Sequence, residues 1–450
     1  PDPGHQRHRG RVERAMVAPA PGHRAVLRRL VGVGFVRDAA FTGGTQILHA
    51  LGAMIGGIMV ARTVGPTGTG TISVVVALAS TAVLLASFGV HQSSIYFLGR
   101  PGSDRDAVMS NAIVFGLVGG AVAAGGLAVG GVLFRRQLLD RISIGLFLLY
   151  VAAVPFSYFT EFARRLVLGS GRVGMYSSPD IIEGIGLVVG TGAVLLAFGT
   201  RLTPLIGVRV AIEVAIATSM GVYLWRSVRF AFRPSRPLLR NQLAYGLRTY
   251  TGSLLWVVLL QSDLILCNGF LGSGQAGVYS VAVSLGLPVT LLAGVIGTLT
   301  FQRTAADPSR DSRVANANRV MRLLIPITIL CAAGLAVASG FLVDLLYGPA
   351  FRGSVSALVL LLPGLCALTV ETVLMNFMAA EGSPSIIYRA PLVGVVFNLA
   401  ANLVVIPRWG IDGAAVTSTL GYLLVLVLVI RFYLTWTGSR ARDLVAPVRG

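Results

Sequence analysis

The stretch LGSGQAGVYSVAVSL, residues 271–285, contains the letters G-x-G-x-x-G at Gly272, Gly274 and Gly277. In a dinucleotide-binding protein this fingerprint follows a short β-strand, opens a helix and precedes an acidic residue by about 20 positions. Here a long apolar run comes before it, and the sequence GVIGTLT, which has no carboxylate, stands at that distance after it. The stretch therefore does not predict a nucleotide site, and its glycines need another explanation.

The composition of the chain predicts a membrane protein. Of its 450 residues, 54% are hydrophobic and 12% are charged, with a mean hydropathy of +0.78, whereas soluble domains have about 25% charged residues. Apolar runs of roughly 20 residues recur, and each can cross a hydrocarbon layer of about 30 Å as a helix. The net charge of +19 comes from arginines between these runs, so it does not indicate nucleic-acid binding. The histidines and cysteines show no metal-ligand spacing.

Clusters of glycine, proline and arginine divide the apolar runs into twelve predicted spans. The spans cover residues 39–61, 70–91, 108–133, 142–163, 179–199, 203–225, 243–267, 276–300, 320–346, 354–378, 384–406 and 411–435. Of the 37 arginines, 29 lie in the tails, in the loops after even-numbered spans or near the span ends that adjoin them, counting Arg248; seven lie in the loops after odd-numbered spans, and Arg209 lies inside span 6. Because positive charge accumulates in cytoplasmic loops, both termini are expected in the cytoplasm.

The opening stretch has a counterpart 207 residues earlier, VGPTGTGTISVVVAL at residues 64–78. Without gaps, identical residues coincide at six positions: Gly65 with Gly272, Gly70 with Gly277, Ser73 with Ser280, Val74 with Val281, Val76 with Val283 and Leu78 with Leu285. The offset covers six spans, so it predicts two six-helix lobes in the same orientation, related by a pseudo-two-fold axis along the membrane normal. The glycines are then explained by tight turns and close helix approach.

These observations predict an all-α polytopic protein in five parts. Residues 1–36, rich in arginine, proline and glycine, are expected to form a disordered basic cytoplasmic tail. An N-lobe over residues 37–226 and a C-lobe over residues 243–436 are expected to be joined by a cytoplasmic linker at 227–242. Residues 437–450 are expected to form a second cytoplasmic tail.

Three stretches resemble the bacterial polysaccharide, or O-antigen, flippases. They are ARTVGPTGTGTISVVVAL, SDLILCNGFLGSGQAGVYSVAVSL and VVFNLAANLVVIPRWGIDGAAVTSTLGYLL. These flippases belong to the multidrug/oligosaccharidyl-lipid/polysaccharide exporter superfamily, and the resemblance covers about residues 40–436. It implies a transporter, not an enzyme, that moves undecaprenyl-diphosphate-linked oligosaccharide to the outer leaflet of the bacterial plasma membrane by alternating access between the lobes.

The resemblance also implies which partners the protein has. They are the lipid-linked oligosaccharide, the membrane lipids, and the polymerases and glycosyltransferases of envelope polysaccharide synthesis. No cofactor is expected apart from Na⁺ or H⁺ as a coupling ion. Two alternatives stay open: a cation-coupled drug exporter of the same superfamily, and a membrane glycosyltransferase, for which Asp104 and Asp106 supply a D-x-D motif.

A charge at mid-bilayer costs at least about 2.5–3.5 kcal/mol on insertion scales, so each one is a candidate functional residue. In span 7, Asp263 shares a helix face with Gly252 and Trp256, and Arg248 flanks that face. We expect this stripe to line the substrate cavity, with Trp256 in its wall. Asp263 is expected either to couple an ion or to bond a neighbouring helix for packing.

Arginine suits an anionic diphosphate because its planar guanidinium presents parallel donors. Arg248 and Arg62 bracket the predicted cavity at its inner and outer ends, where each either binds substrate or snorkels to the interface. Arg209 and Glu213 lie at i and i+4 in span 6, so they form an ion pair or act in substrate binding and ion coupling. Glu371 in span 10 is another candidate ion-coupling residue.

Three more charged or titratable residues lie in or near the spans of the predicted N-lobe. Glu161 and Glu183 are expected near the cytoplasmic ends of their spans, where they snorkel to the interface or pair with Arg164 or Arg165. His49 lies inside the first predicted span. It is expected to be a neutral, hydrogen-bonded residue or part of a proton relay.

Overall fold

The computed structural model describes residues 33–100, 102–135, 139, 142–169, 172–228, 230–306, 309–382 and 385–445. Most of the predicted basic tail at residues 1–36 lies outside this part of the chain, as does the end of the second predicted tail. Within the described ranges the regular structure is helical, without a β-strand.

The described part of the chain contains fourteen α-helices and one short 3-10 helix. In order, they are α1 (Val33–Ser87), α2 (Val90–Gly99), α3 (Arg105–Leu133), α4 (Ile144–Val151), α5 (Val154–Gly169), α6 (Val173–Tyr176), α7 (Ser178–Phe198), α8 (Leu202–Ser227), α9 (Arg236–Leu271), α10 (Ser273–Ala306), α11 (Arg310–Leu346), the 3-10 helix Pro349–Phe351, α12 (Ser354–Ala380), α13 (Ile386–Thr437) and α14 (Ala441–Val445). Ten helical segments in these ranges are long and apolar enough to cross a membrane. Two of them, α1 and α13, each join two spans at a glycine with non-helical torsions. The twelve predicted spans are therefore confirmed.

The turns between spans use glycine because their backbone torsions require it. Gly65 and Gly272 have φ values of 68° and 83°, and they join spans 1 and 2 and spans 7 and 8. Gly199 (φ 64°, ψ −137°) and Gly410 (φ 63°, ψ −145°) join spans 5 and 6 and spans 11 and 12. Glycine adopts these positive φ values without the steric penalty of a Cβ. The same two turns therefore recur in the two halves of the chain.

The two copies of the repeated stretch touch each other at equivalent residues. The hydroxyl oxygens of Ser73 and Ser280 are 3.2 Å apart. A Cβ on Gly70 would overlap the carbonyl oxygen of residue 273, and a Cβ on Gly277 would overlap that of residue 66. Each of these contacts is the two-fold image of the other, as the offset of 207 predicts. We call this set the hairpin contact: Pro66, Gly70, Ser73, Ser273, Gly277 and Ser280.

Each lobe has its own hydrophobic core. Phe147 and Tyr158 are among the largest fully buried side chains of the N-lobe, and Tyr279 and Tyr433 are among those of the C-lobe. Large apolar side chains also cover the outside: Leu196, for example, is 92% exposed. An apolar exterior around two cores is the arrangement expected when lipid, not water, surrounds the helices.

The predicted linker at residues 227–242 connects α8, which ends at Ser227, to α9, which begins at Arg236. Helix α9 begins inside that range because the Ser235 hydroxyl caps it, accepting a hydrogen bond from the backbone N–H of residue 238 at 3.5 Å. The Asn111 amide bonds both the N–H and the carbonyl of Ser235, at 2.8 and 2.9 Å, and donates to the buried Gln242 at 3.0 Å. We call this side of the bundle the linker end and the opposite side, at Gly65 and Gly272, the hairpin end.

Candidate functional site

A cavity of about 240 Å³ lies inside the N-lobe, between helices α1, α5, α7 and α8. Its polar lining comprises Ser80, Tyr150, Ser157, Thr160, Glu161, Arg164, Glu183, Arg209 and Glu213. Charged side chains are costly within membrane spans, so their convergence here indicates a functional site. The sequence-predicted candidates Arg209 and Glu213 are both part of this N-lobe cavity.

Glu183 is paired differently from the prediction. Its Oε2 lies 3.2 Å from Nε2 of His49 on α1, and neither Arg164 nor Arg165 is its ion-pair partner. Helices α1 and α7 approach closely here, because a Cβ on Gly52 would overlap the backbone of Gly184. This approach brings His49 to Glu183, and the Glu183 carboxylate lines the N-lobe cavity.

Arg209 and Glu213 do not form the predicted direct ion pair. Among the described residues, no carboxylate oxygen lies within 4 Å of the Arg209 guanidinium. Arg164 is paired with Asp180 at 3.1 Å, and its guanidinium lies 4.9 Å from the ring centre of Tyr176. Arg209 is therefore the cation of the N-lobe cavity that is most available to a ligand.

Asp263 lies in the interior of the C-lobe and is 2% exposed. Its Oδ2 accepts hydrogen bonds from the hydroxyls of Tyr279 and Ser418, each at 2.6 Å, whereas Oδ1 has no partner among the described residues. Asp263 and Trp256 therefore line neither the N-lobe cavity nor the second cavity described below, because these hydroxyls on α10 and α13 hold the Asp263 carboxylate inside the lobe. Trp256, from the same stripe, packs against the C-lobe core.

Asn398 extends the polar network around Asp263. Its amide nitrogen donates to Ser418 at 3.3 Å, and its amide oxygen accepts from Ser262 at 3.1 Å and from Asn402 at 2.9 Å. Both asparagines are fully buried. The network joins α9, α10 and both spans of α13, so Asp263 is held from several sides.

Glu371 on α12 is fully buried in the same lobe. Neither of its carboxylate oxygens has a hydrogen-bond partner among the described residues. The two predicted ion-coupling residues of the C-lobe are therefore both buried in its interior, and among the described residues no arginine forms an ion pair with either of them.

The other two predicted arginines lie elsewhere. Arg62, at the hairpin end, donates hydrogen bonds to the carbonyl oxygens of Leu345 and of Leu346, the latter at 2.9 Å. A cation is favourable at the C-terminus of a helix such as α11, so Arg62 bridges the lobes instead of lining either cavity. The side chain of Arg248 lies outside the described part of the structure, so its role in substrate binding stays a prediction.

A second cavity, of about 330 Å³, lies where helices α1, α2 and α5 of the N-lobe meet α9 of the C-lobe. We call it the lobe-interface cavity; its polar lining comprises Ser87, His91, Gln92, Glu161, Arg165, Tyr250 and Ser253. It shares Glu161 with the N-lobe cavity. The sequence analysis missed it because its lining comes from helices of both lobes that are far apart in sequence.

The D-x-D motif has a structural explanation. Asp104 is the N-cap of α3, and its Oδ1 accepts a hydrogen bond from the N–H of Ala107 at 3.0 Å. Among the described residues, no group of three or more His, Cys, Asp or Glu residues is arranged to hold a metal ion. Helix capping therefore accounts for Asp104 of this motif.

Comparisons with known proteins agree with this architecture. The sequence model of the polysaccharide biosynthesis protein family matches residues 35–301. A probable low-salt glycan biosynthesis flippase of Haloferax volcanii is 22% identical over 80% of this chain and 75% of its own length. An uncharacterized membrane protein of Methanocaldococcus jannaschii is 25% identical over 44% of this chain, and the match spans only 40% of that relative. The lipid II flippase MurJ, in an inward closed conformation, has the same fold with a TM-score of 0.71, 14% identity and coverage of 91% of this chain and 89% of that one.

Proposed function

The chain belongs to the polysaccharide biosynthesis protein family, and on that premise we propose that it flips a lipid-linked oligosaccharide across a membrane by alternating access between its two lobes. The observation that carries this proposal is the N-lobe cavity, in which Arg209, Glu183 and Glu213 converge inside an apolar bundle. Sugar hydroxyls both donate and accept hydrogen bonds, and guanidinium and carboxylate groups offer both kinds of partner. A cavity of mixed charge therefore suits a glycan better than a hydrophobic drug.

Transport against a gradient needs an energy source, and the C-lobe carboxylates support an ion-coupled mechanism. An ionised carboxylate without a partner is very costly in an apolar interior. Glu371 and the free oxygen of Asp263 therefore favour binding a proton or a cation such as Na⁺. Glu213, at the N-lobe cavity, is the third candidate for this role. An ion that binds in one lobe shifts the equilibrium between the conformations of the carrier only if it binds one conformation more tightly than the other.

The distribution of arginine supports a direction for transport. The linker end carries the arginine-rich loops, so we place it in the cytoplasm and the hairpin end outside. The substrate would then be a polyprenyl-diphosphate oligosaccharide loaded from the cytoplasmic leaflet. Membrane glycosyltransferases would supply it, and a polymerase or transferase on the far side would consume it. The two lobes act in this scheme as a carrier and carry out no covalent chemistry.

The proposal can be tested with the full chain in proteoliposomes that contain a polyprenyl-diphosphate oligosaccharide. A glycosidase added outside cleaves only glycans in the outer leaflet, so flipping raises the cleaved fraction above that of protein-free vesicles. We expect Arg209→Gln to slow this rise about tenfold or more, because a charge-assisted hydrogen bond is lost. The matched control is Arg201→Gln, an exposed arginine at the start of the same helix, which should transport normally.

Two results would contradict the proposal. One is a wild-type protein that leaves the cleaved fraction at the protein-free level in the presence and absence of ion gradients. The other is the same protein carrying a cationic dye in vesicles, which would favour a drug exporter. An ion gradient of H⁺ or Na⁺ that accelerates flipping would support the coupling role of the C-lobe carboxylates.

A further inference from the structure

We propose that Arg62 is a latch between the lobes, which keeps the hairpin end closed and must release before that end can open. Its role rests on the proposed function, because alternating access requires each end of the carrier to open in turn. Arg62 lies near the end of span 1, just before the turn at Gly65. Its partners are the carbonyl oxygens of Leu345 and Leu346, at the end of span 9 in the C-lobe. We call these two bonds the Arg62 latch.

The C-terminus of α11 presents carbonyl oxygens that the helix itself cannot bond. The last four carbonyls of an α-helix have no partner within the helix. In α11 the turn that follows satisfies the carbonyl of Val343 with two N–H groups, each at 2.9 Å. The guanidinium of Arg62 satisfies two more, with Nε donating to Leu346 at 2.9 Å and Nη2 donating to Leu345. The carbonyl end of a helix carries partial negative charge, so the positive charge of Arg62 strengthens the attraction.

The surroundings of α11 direct Arg62 to the backbone of this helix. The Asp344 carboxylate, at the same helix end, accepts two hydrogen bonds from Arg352, at 2.8 and 2.9 Å. Because Arg352 occupies this carboxylate, Arg62 bonds the backbone carbonyls instead. The 3-10 helix Pro349–Phe351, which follows α11, packs against α1, and Phe351 is fully buried. The end of span 9 is therefore held beside the end of span 1 while the hairpin end is closed.

The Arg62 latch has no two-fold image in the other half of the chain. The offset of 207 residues pairs Arg62 with Gly269, which has no side chain. The hairpin contact is repeated in both lobes, whereas this attraction acts on one side of the hairpin end. Arg62 is exposed, so water replaces part of each hydrogen bond when the latch opens. The latch can therefore break in every cycle and still shift the equilibrium toward the closed hairpin end.

The latch can be tested through Ser280, which belongs to the hairpin contact and is 8% exposed. The full chain with Ser280→Cys is placed in nanodiscs and reacted with a hydrophilic maleimide, and labelled peptides are measured by mass spectrometry. In a carrier that is mostly closed, the labelling rate follows the open fraction. We expect Arg62→Gln to raise the rate about fivefold, which corresponds to losing one net hydrogen bond. Arg62→Lys should raise it less, because lysine keeps the charge and loses the planar donors.

Two controls separate opening of the hairpin end from other effects. Arg408 is an exposed arginine at the same end whose Nη1 donates to a carbonyl of its own helix, that of Val404, at 3.0 Å. Arg408→Gln therefore removes a similar bond that does not join the lobes, and it should leave the rate at Ser280→Cys unchanged. The native Cys267 is fully buried in the C-lobe, so its labelling reports unfolding and should stay constant in Arg62→Gln.

The latch would be overturned by an unchanged labelling rate in Arg62→Gln, or by equal increases in Arg62→Gln and Arg408→Gln. A parallel increase at Cys267 would assign the effect to unfolding and overturn it as well. Labelling requires no substrate, so the two proposals can fail separately. An Arg62-dependent rate in a protein that does not flip oligosaccharide would support the latch and contradict the proposed function. Flipping by a protein whose labelling rate is independent of Arg62 would do the reverse.

Discussion

Asp263 and Glu371 are both buried carboxylates, but their surroundings differ. Asp263 receives two short hydrogen bonds from hydroxyl groups, whereas Glu371 receives none from the described residues. The hydroxyls of Tyr279 and Ser418 can stabilise a negative charge on Asp263. Glu371 has no such support, so we expect it to be the group that holds a proton when the site contains no cation.

We predict that Tyr279→Phe destabilises the protein. The change leaves the ring in place but removes one of the two hydroxyl donors to Asp263, and losing a hydrogen bond to a buried charged group costs about 1–3 kcal/mol. The thermal midpoint in detergent should fall, and Tyr388→Phe, at a 41% exposed tyrosine, should leave it unchanged. Equal midpoints for Tyr279→Phe and the wild-type protein would show that this hydrogen bond does not stabilise the C-lobe.

The sequence indicates which residues are candidates more reliably than it indicates which way their side chains point. Arg209 and Glu213 stand out because charges are rare in apolar spans, and both do line the N-lobe cavity. Asp263 stands out for the same reason, but its rotation depends on hydroxyls 16 and 155 residues away in sequence. The lobe-interface cavity gave no signal, because its lining residues come from four helices that only the folded chain brings together.

At the scale of elements, the hairpins are the part of the fold that the sequence predicts most directly. Positive φ values at Gly65 and Gly272 explain why the repeat keeps glycine there. The close approach at Gly70 and Gly277 explains a second matched pair. The third pair, Ser73 and Ser280, forms a direct side-chain contact that an alignment alone does not require. The break between α1 and α2, at Phe88 and Gly89, lies just before the polar residues 91–94 and close to the predicted end of span 2 at residue 91.

We predict that Ser73→Cys with Ser280→Cys forms a disulfide that stops transport. Hydroxyl oxygens 3.2 Å apart place the two side chains within reach of the Cβ separation of about 3.5–4.5 Å that a disulfide needs. Alternating access requires the hairpin end to open, so the oxidised double variant should not flip lipid in the glycosidase assay. Reduction with dithiothreitol should restore flipping.

Each single cysteine variant serves as the control, because it carries the same side chain without the partner. Both should transport normally with or without oxidant. Full activity of a quantitatively oxidised double variant would show that the hairpin contact does not open during transport.

At the scale of the whole molecule, topology follows from the twelve spans and the distribution of arginine. We predict that cysteines at Thr67 and Gln275, exposed positions at the hairpin end, react with an impermeant maleimide added to intact cells. A cysteine at Pro234, exposed at the linker end, should react only after the membrane is permeabilised. Labelling of Pro234→Cys in intact cells would reverse the orientation and with it the proposed direction of transport.

The symmetry of the hairpin contact has the geometry of a homodimer interface folded into one chain, since a surface meets a copy of itself. Two separate subunits that met only through the small residues of the hairpin contact would need enough affinity for each other to stay associated. Here the two halves are joined by the short connection around Ser235, whose backbone is hydrogen-bonded to Asn111. The connection gives each half a high effective concentration near the other. The contact can therefore be weak enough to break in every cycle and still reform reliably, because the two halves never diffuse apart.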